Sequence, residues 1–456
     1  HRSSMIDKND TITAIATPSG KGGIGIIRMS GPLALSIVST IIKRPPSARQ
    51  ADYCSFKDAN GSTLDTGIVL YFPAPASYTG EDVVELQGHG GQVVLNSILQ
   101  RALQLGARLA RPGEFTERAF HNDKLDLLQA EAVADLIDSS SNEAARSAMR
   151  SLNGEFSART DVLLKELINT RVYVEGALDF PEEEIDFLRE SDVGEKIDKA
   201  LQVIGKILSE AQQGQVLREG ISIAIIGEPN VGKSSLLNAL SQTNKAIVSP
   251  GPGTTRDIVE EKILINGVLI HVVDTAGIRD TTDSVEQEGI NRARIAAEKA
   301  DLVLLVKEAS REAQEQMCSL GGQIPEEKPC IVLYNKIDLL ASPARKIESP
   351  GKRPEVFLSA KTNEGIDLLK EQIRCVMGLA NTGEAVLSGR TRHIEALKNA
   401  RILLKKAAKK MKSNKPAAEL IAEDLLRAQR WIESITGKST SDDLLGEIFS
   451  HFCIGK

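Results

Sequence analysis

The feature that most limits the fold of this 456-residue chain is an octapeptide that directly follows a short apolar run. The run spans 221–226, and the octapeptide Gly227-Glu228-Pro229-Asn230-Val231-Gly232-Lys233-Ser234 has the pattern G-x-x-x-x-G-K-S. In this pattern a strand leads into a loop whose backbone N–H groups surround phosphate oxygens, and a helix follows. The lysine reaches the β and γ oxygens, and the serine hydroxyl is a ligand for Mg²⁺. The sequence therefore predicts a doubly wound sheet that binds a nucleoside triphosphate through Asn230, Val231, Gly232, Lys233, Ser234 and Ser235.

A second motif predicts which base is bound. Asn335-Lys336-Ile337-Asp338 follows the apolar strand candidate at 330–334. A carboxylate at the last position accepts two hydrogen bonds, from the N1–H and the exocyclic amine of guanine, whereas adenine offers no such pair. The sequence therefore predicts GTP as the nucleotide, bound in part by Asn335, Lys336 and Asp338.

Three further short motifs accompany these two in the segment 221–380. They are Gly253-Thr254-Thr255-Arg256-Asp257, then Asp274-Thr275-Ala276-Gly277 after the strand candidate at 268–273, and last Ser359-Ala360-Lys361. In this order the five motifs resemble those of translation-factor-like GTPases. The resemblance implies Thr255 as the switch threonine on Mg²⁺, Asp274 as a carboxylate that contacts Mg²⁺ through water, and 359–361 as the last guanine loop. The predicted GTP contacts also include Ser249, Pro250, Gly251, Pro252, Gly253, Thr254, Thr275, Ala276 and Gly277.

The residue that orients the attacking water is not evident from these motifs. Many GTPases have a glutamine directly after D-T-A-G, but here the position is the apolar Ile278. Four acidic residues of the following stretch are candidates, although acidic runs are commonly only solvated surface. Transition-state charge has two candidate sources, Arg256 and a monovalent cation held by Asn230. The acidic candidates are Asp280, Asp283, Glu286 and Glu288.

Composition is that of a globular protein with large aliphatic cores. Hydrophobic residues make up 41%, charged residues 26% and aromatic residues 4%, and the net charge is −6. Because aromatic residues are few, an aromatic platform for single-stranded nucleic acid is not expected. No apolar run reaches the roughly 20 residues of a membrane span. The five cysteines lack metal-site spacing, which favours a reducing, cytoplasmic location.

The segments around the GTPase motifs differ in periodicity. Residues 10–120 contain β-forming runs with glycine and proline, which predicts an α+β domain. Apolar residues recur at helical spacing in 123–219 and again after residue 383. The simplest architecture inserts the GTPase domain into a discontinuous helical domain, with boundaries at 5–122, 123–219, 220–380 and 381–456. The lysine-rich stretch 398–415 is interpreted either as a phosphate-binding patch or as a solvated helix face.

Distinctive motifs in the flanking segments resemble one family over the whole chain from about residue 9. They are Asp10-Thr11-Ile12, Gly22 to Arg28, Tyr78-Thr79-Gly80-Glu81-Asp82, Glu85 to Gly91, Arg111 to Thr116 and the terminal Phe452-Cys453-Ile454-Gly455-Lys456. On these motifs the chain is identified as a member of the MnmE (TrmE) family of tRNA-modification GTPases. The resemblance implies an N-terminal folate-binding and dimerisation domain, a split helical domain and an inserted Ras-like GTPase domain. It also implies action with an FAD-containing MnmG-type partner on C5 of the wobble uridine of tRNA.

The resemblance also implies roles for individual residues. A tetrahydrofolate one-carbon donor, in its 5-formyl or 5,10-methylene form, is expected at Arg28, Glu85, Lys124 and Lys456. Potassium is expected at Asn230, Ser249, Gly251 and Thr254 when the GTPase domains of a homodimer pair, and Mg²⁺ at Ser234 and Thr255. Glu286 is expected to orient the attacking water as a catalytic residue together with Lys233. Cys453 is a candidate for the modification chemistry, against a role as a small buried apolar residue.

A ribosome-assembly GTPase is the alternative interpretation. Such a protein is an RNA-binding timer without a small-molecule carbon donor, and Asn230 fits it equally well. It is expected to carry a recognisable RNA-binding module, which the N-terminal segment of this sequence does not display.

Overall fold

The structure is a computed structural model that describes residues 10–178, 192–241, 260–265, 267–274, 294–309, 324–340, 342–378, 386–413, 417–438 and 441–455. The chain divides into two compact units. The first contains residues 1–134, 151–200 and 399–456, and the second contains 135–150 and 201–398. Four of the described helices contribute residues to both units, and each unit is described by itself below.

The first unit contains a six-stranded sheet in the order β3-β4-β5-β2-β1-β6. Neighbouring strands are antiparallel except for β1 and β6, which are parallel. Helices α1 and α2 bury one face of the sheet over aliphatic side chains such as Ile27, Val84, Leu86 and Ile98. The elements are β1 (Ile12–Ile15), β2 (Gly22–Ser30), α1 (Ala34–Ile42), β3 (Asp52–Lys57), β4 (Thr63–Phe72), β5 (Val83–Gly90), α2 (Gln92–Gln104) and β6 (Arg108–Leu109).

Helices complete the first unit and lead into the second. They are α3 (Glu114–His121), α4 (Leu127–Ile137), α5 (Asn142–Leu152), α6 (Glu155–Leu178), α7 (Val193–Glu219), α10 (Thr391–Met411), α11 (Ala418–Thr436) and α12 (Asp442–Ser450). Helices α6 and α11 pack along each other, and α12 packs on α3 and α4 through Phe449 and Leu127. Among the described helices, none has the length and apolar content needed to cross a membrane.

The second unit is built on a seven-stranded sheet in the order β12-β13-β11-β10-β7-β9-β8. The five inner strands are parallel, and only the edge strands β8 and β12 are antiparallel to their neighbours. Inner strands such as β10 and β11 are buried almost throughout, as expected when helices cover both faces of a parallel sheet. The elements are β7 (Ile221–Gly227), α8 (Lys233–Ser241), β8 (Glu260–Ile265), β9 (Val268–Asp274), β10 (Leu302–Glu308), β11 (Cys330–Asn335), β12 (Arg345–Ile347), β13 (Glu355–Phe357) and α9 (Ile366–Val376).

The predicted fold class is confirmed. An α+β N-terminal domain, flanking helices and a doubly wound sheet all occur as expected. The helices of the flanking segments bury apolar side chains at helical spacing, such as Leu128 and Ala132 of α4. The domain boundaries at 122, 219 and 380 remain predictions.

Candidate functional site

The phosphate-binding motif lies between β7 and α8, at the carboxyl edge of the parallel sheet. Asn230 and Gly232 both have left-handed backbone conformations, with φ values of 65° and 95°. A Cβ atom at Gly232 would lie 2.3 Å from Nδ2 of Asn335, so only glycine fits there. The Nζ of Lys233 donates to the carbonyl oxygens of Gly227 and Glu228 at 2.9 and 2.8 Å. These hydrogen bonds hold the start of the loop next to Lys233, in the folded-back form in which backbone N–H groups can surround a phosphate.

Asn335 joins the phosphate loop to the guanine loop. Its Nδ2 donates to the carbonyl oxygen of Val231 at 2.8 Å, and its Oδ1 accepts from the backbone N–H of Ala360 at 2.9 Å. The residue is only 2% exposed. Because both ends of its amide are used, Asn335 holds the loops after β7, β11 and β13 at one edge of the sheet.

Asp338 is oriented by the serine of the last guanine loop. The hydroxyl of Ser359 donates to Oδ1 of Asp338 at 2.6 Å and is also 3.3 Å from the backbone nitrogen of Thr362. Lys336 has a φ of 70°, and its Nζ lies 2.9 Å from Oε2 of Glu308 at the end of β10. The carboxylate is thus held in place before any base arrives, which favours selective recognition of guanine.

The remaining predicted GTP and metal residues are only partly covered by the structure. Asp274 is the last residue of β9 and pairs with Ile225 of β7, which places its backbone beside the strand that precedes the phosphate loop. Ser234 and Ser235 lie in the first turn of α8, and Lys361 lies in the exposed turn that follows Ala360. The residues outside the described part are Ser249, Pro250, Gly251, Pro252, Gly253, Thr254, Thr255, Arg256, Thr275, Ala276, Gly277, Ile278, Asp280, Asp283, Glu286, Glu288 and Lys456.

In the first unit, Arg28 and Glu85 form a partly buried pair on neighbouring strands. They are register partners of β2 and β5, and Nε and Nη2 of Arg28 lie 3.0 and 2.8 Å from Oε1 of Glu85. The side chains are 17% and 14% exposed. Gln87 donates to the second carboxylate oxygen of Glu85 at 3.3 Å. This ion pair therefore presents donors and an acceptor side by side on the sheet.

The C-terminal tail reaches the same pair. Nη1 of Arg28 donates to the carbonyl oxygen of Gly455 at 3.2 Å. A Cβ at Gly455 would lie 2.8 Å from Cα of Ala16, so the tail packs directly on the end of β1. Cys453 is exposed, and its carbonyl oxygen accepts from the backbone N–H of Gly113 at 3.4 Å. The interpretation of Cys453 as a buried apolar residue is therefore wrong, whereas its chemical role remains untested.

Two aromatic rings at this cluster were not predicted as site residues. The guanidinium carbon of Arg28 lies 5.7 Å from the ring centroid of Tyr78 and 5.8 Å from that of Phe115. Burial raises the pKa of Tyr78, and its hydroxyl is 2.9 Å from Oγ1 of Thr116. Both rings belong to motifs that carry the family resemblance, Tyr78-Thr79-Gly80-Glu81-Asp82 and Arg111 to Thr116. The motifs therefore pointed to this part of the domain, although neither ring was predicted as a site residue.

An ion network fixes the start of α3 beneath these rings. Burial by itself would raise the pKa of Glu114, but hydrogen bonds from Arg108 and from the backbone N–H of Arg111 lower it to about 2. Arg118 is buried and bridges Asp10, Glu81 and Glu114. The same Glu81 accepts from Ser30, the last residue of β2, at 2.6 Å. The network therefore ties α3 and the Tyr78 loop to the strand that carries Arg28.

Lys124 lies in a different local setting from Arg28. Its Nζ donates to the carbonyl oxygen of Pro75 at 3.1 Å, and its stem is beside Gly80. It also lines a cavity of about 450 Å³ whose walls include His121, Gln129 and Lys438. The structure thus brings Arg28, Glu85 and the C-terminal tail together, whereas the hydrogen bond of Lys124 is to Pro75, outside that cluster.

Fold and site together define a P-loop GTPase domain joined to an α+β domain and helices. A family model described as the GTP-binding protein TrmE N-terminus matches residues 11–124, and a model of the MnmE helical domain matches residues 127–453. The chain is 51% identical over 448 residues to tRNA modification GTPase MnmE of Hydrogenovibrio crunogenus, covering 98% of this chain and 99% of that protein. It is 50% identical over 447 residues to tRNA modification GTPase MnmE of Methylococcus capsulatus, at 98% and 99% coverage.

These matches establish the family. The chain belongs to the MnmE family and is a GTPase. Among solved structures, the G domain of FeoB from Methanococcus jannaschii shares 34% identity and covers 35% of this chain and 98% of that chain, with a TM-score of 0.25.

Proposed function

We propose that this chain hydrolyses GTP as a subunit of a complex that modifies tRNA. With an FAD-containing MnmG-type partner, it adds an aminomethyl or carboxymethylaminomethyl group to C5 of the wobble uridine, using a tetrahydrofolate one-carbon unit. The observation that carries the folate part is the cluster of Arg28, Glu85, Gly455 and two aromatic rings on the N-terminal sheet. The names of the relatives support the tRNA part.

The chemistry of the cluster suits a reduced pterin. A pterin edge carries adjacent donors and acceptors, and the Arg28–Glu85 pair offers both within a short distance. The partly exposed ring of Tyr78 provides aromatic surface beside the charged pair, while the fully buried ring of Phe115 packs against Arg28 from below. The C-terminal tail would border a folate held by this cluster, because Gly455 contacts the same guanidinium group. Exposed Cys453 and the terminal Lys456 are then candidates for contact with the one-carbon unit.

Replacement of Arg28 by alanine is expected to remove folate binding. The change leaves Glu85 half-buried without its cation, so affinity for 5-formyltetrahydrofolate should fall at least about 100-fold. Isothermal titration calorimetry on the full-length protein measures this directly. Arg44→Ala, which removes an exposed arginine paired with Asp52 in the same sheet, is the matched control.

Two results of this titration would count against the proposal. Unchanged affinity in Arg28→Ala would move the folate away from the cluster. Absence of binding by the folded wild-type protein would favour the alternative, a ribosome-assembly GTPase that uses no carbon donor. Asn230 and the guanine loop serve both functions equally.

The GTPase is proposed to use two metals. Mg²⁺ would bind through Ser234 and Thr255, and K⁺ through Asn230, Ser249, Gly251 and Thr254 when the GTPase domains of a homodimer pair. The side-chain amide of Asn230 supports the K⁺ part, because its oxygen carries lone pairs that can coordinate a cation beside the phosphate loop. A potassium ion at the phosphates would supply the charge that an arginine finger provides in other GTPases.

Exchange of K⁺ for Na⁺ is expected to slow GTP hydrolysis at least about tenfold, since a smaller ion fits the same oxygen ligands poorly. Single-turnover hydrolysis in matched KCl and NaCl tests this expectation. The Asn230→Ala variant should lose the difference between the two salts. Equal wild-type rates in both salts would contradict a catalytic K⁺.

A further inference from the structure

A buried carboxylate joins the two places where the chain enters and leaves the GTPase sheet. Asp135, near the end of α4, is 6% exposed. Its Oδ2 accepts from the hydroxyl of Ser388 at 2.6 Å, and its Oδ1 lies 2.6 Å from Nη2 of Arg390 and 3.6 Å from Nη1 of Arg218. Arg218 is near the end of α7, directly before β7, whereas Ser388 and Arg390 directly precede α10.

These two connections, the end of α7 before β7 and the segment 386–390 before α10, are called the chain crossings. Their backbones are also packed directly against each other. A Cβ at Gly214 of α7 would lie 1.7 Å from the carbonyl oxygen of Leu387, and one at Gly389 would lie 2.0 Å from that of Ala211. Both glycines are therefore required by close approach. Side chains add to the contact, since Gln215 donates to Thr391 at 3.1 Å and Ser147 of α5 donates to the carbonyl oxygen of Val386 at 3.3 Å. The crossings, α5 and the end of α4 thus form one packed collar on the second unit.

The collar touches the hairpin that connects the two switch motifs in sequence. Strand β8 follows the 253–257 motif, and β9 ends at Asp274 of the D-T-A-G motif. At the turn of this hairpin, a Cβ on Gly267 would lie 2.2 Å from Oε2 of Glu143 in α5. At the base of β9, His271 is 3.0 Å from the carbonyl oxygen of Glu219, the last residue of α7. A shift of the hairpin would therefore press on α5 and α7.

We propose that Asp135 is a positioning residue that transmits the nucleotide state from the β8–β9 hairpin to the helices. By holding Ser388, Arg390 and Arg218 together, the carboxylate makes both crossings and α5 move as one body with the hairpin. Without this carboxylate, a movement of the hairpin is no longer accompanied by a movement of the crossings and α5. This inference rests on the proposed function only in that the motion would serve tRNA modification.

Hydrogen exchange on the full-length protein tests the proposal without any partner. Wild-type protein with GDP and with a non-hydrolysable GTP analogue should differ in exchange at the β8–β9 hairpin, at α5 and at 386–398. In Asp135→Asn the difference should persist at the hairpin and fall at least about fivefold at α5 and 386–398. Hydrolysis should stay within about twofold of wild type, because Asp135 touches no nucleotide-binding motif.

Matched variants separate positioning from general stability. Asp367→Asn removes an exposed carboxylate of α9 whose ion pair is with Lys370, outside the collar, and should leave the exchange pattern unchanged. Arg390→Gln breaks the same ion pair from the other side and should reproduce the Asp135→Asn pattern, with no additional effect in the double variant. Persistence of the wild-type difference at α5 in a folded Asp135→Asn protein would overturn the proposal, as would wild-type α5 that does not respond to nucleotide. Wild-type protein that shows the nucleotide-dependent exchange at α5 but does not support tRNA modification would instead count against the proposed function.

Discussion

Replacement of Asp338 by asparagine is expected to change the base that the protein binds. Asparagine keeps one acceptor but replaces the other with a donor, so the exocyclic amine of guanine meets an N–H group. GTP affinity should fall at least about 100-fold, because two hydrogen bonds to a charged acceptor are weakened or lost. Xanthosine triphosphate carries an oxygen at that ring position and should bind Asp338→Asn more tightly than GTP. Competition titrations with a fluorescent nucleotide measure both affinities.

The preorganisation of Asp338 makes this prediction sharp. Because Ser359 donates to Oδ1 at 2.6 Å, the substituted amide stays in the same orientation if its carbonyl takes that place. Asp367→Asn, an exposed carboxylate at the start of α9 in the same domain, is the control and should leave base selectivity unchanged. A variant at position 338 that still prefers GTP to xanthosine triphosphate would show that the guanine loop reads the base through other groups.

The guanine loop also shows where prediction from sequence succeeds. The apolar strands at 221–226 and 330–334 and the motifs that follow them placed the phosphate and base loops on one sheet edge, because the carboxyl ends of parallel strands meet there. The role of Asn335 was not accessible in the same way. Its bonds to Val231 and Ala360 join residues far apart in sequence, and no local pattern encodes that pairing.

The N-terminal site shows the same limit. Arg28 and Glu85 are predicted by the resemblance alone, since without it Arg28 is an ordinary surface residue and Glu85 an ordinary charged residue of a strand. Their pairing follows from the register of β2 and β5, and the rings of Tyr78 and Phe115 come to Arg28 from a loop and from α3. Asp135 was not selected at all, because its partners Arg218 and Ser388 are distant in sequence and meet only through the close packing at Gly214 and Gly389.

Replacement of Glu286 by alanine is expected to stop hydrolysis while nucleotide binding continues. The motif residue that orients water in many GTPases is Ile278 here, and an aliphatic side chain cannot hold a water molecule by a hydrogen bond. If Glu286 takes that task, the alanine variant should hydrolyse GTP about 100 to 1,000 times more slowly in single-turnover assays. Its affinity for GTP should stay within about threefold of wild type, because the phosphate and guanine loops are untouched.

Comparison with neighbouring acids and with glutamine defines the role further. Asp283→Ala and Glu288→Ala should retain most activity if Glu286 alone orients the water, and an equal loss in either would distribute the task along the acidic stretch. Glu286→Gln keeps an acceptor and adds a donor without the charge, so near wild-type hydrolysis would indicate orientation of the water as the main contribution. A glutamine variant as slow as alanine would indicate that the negative charge itself is needed to polarise the water. Hydrolysis at the wild-type rate in Glu286→Ala would exclude this residue and leave Asp280, Asp283 and Glu288 as the candidates.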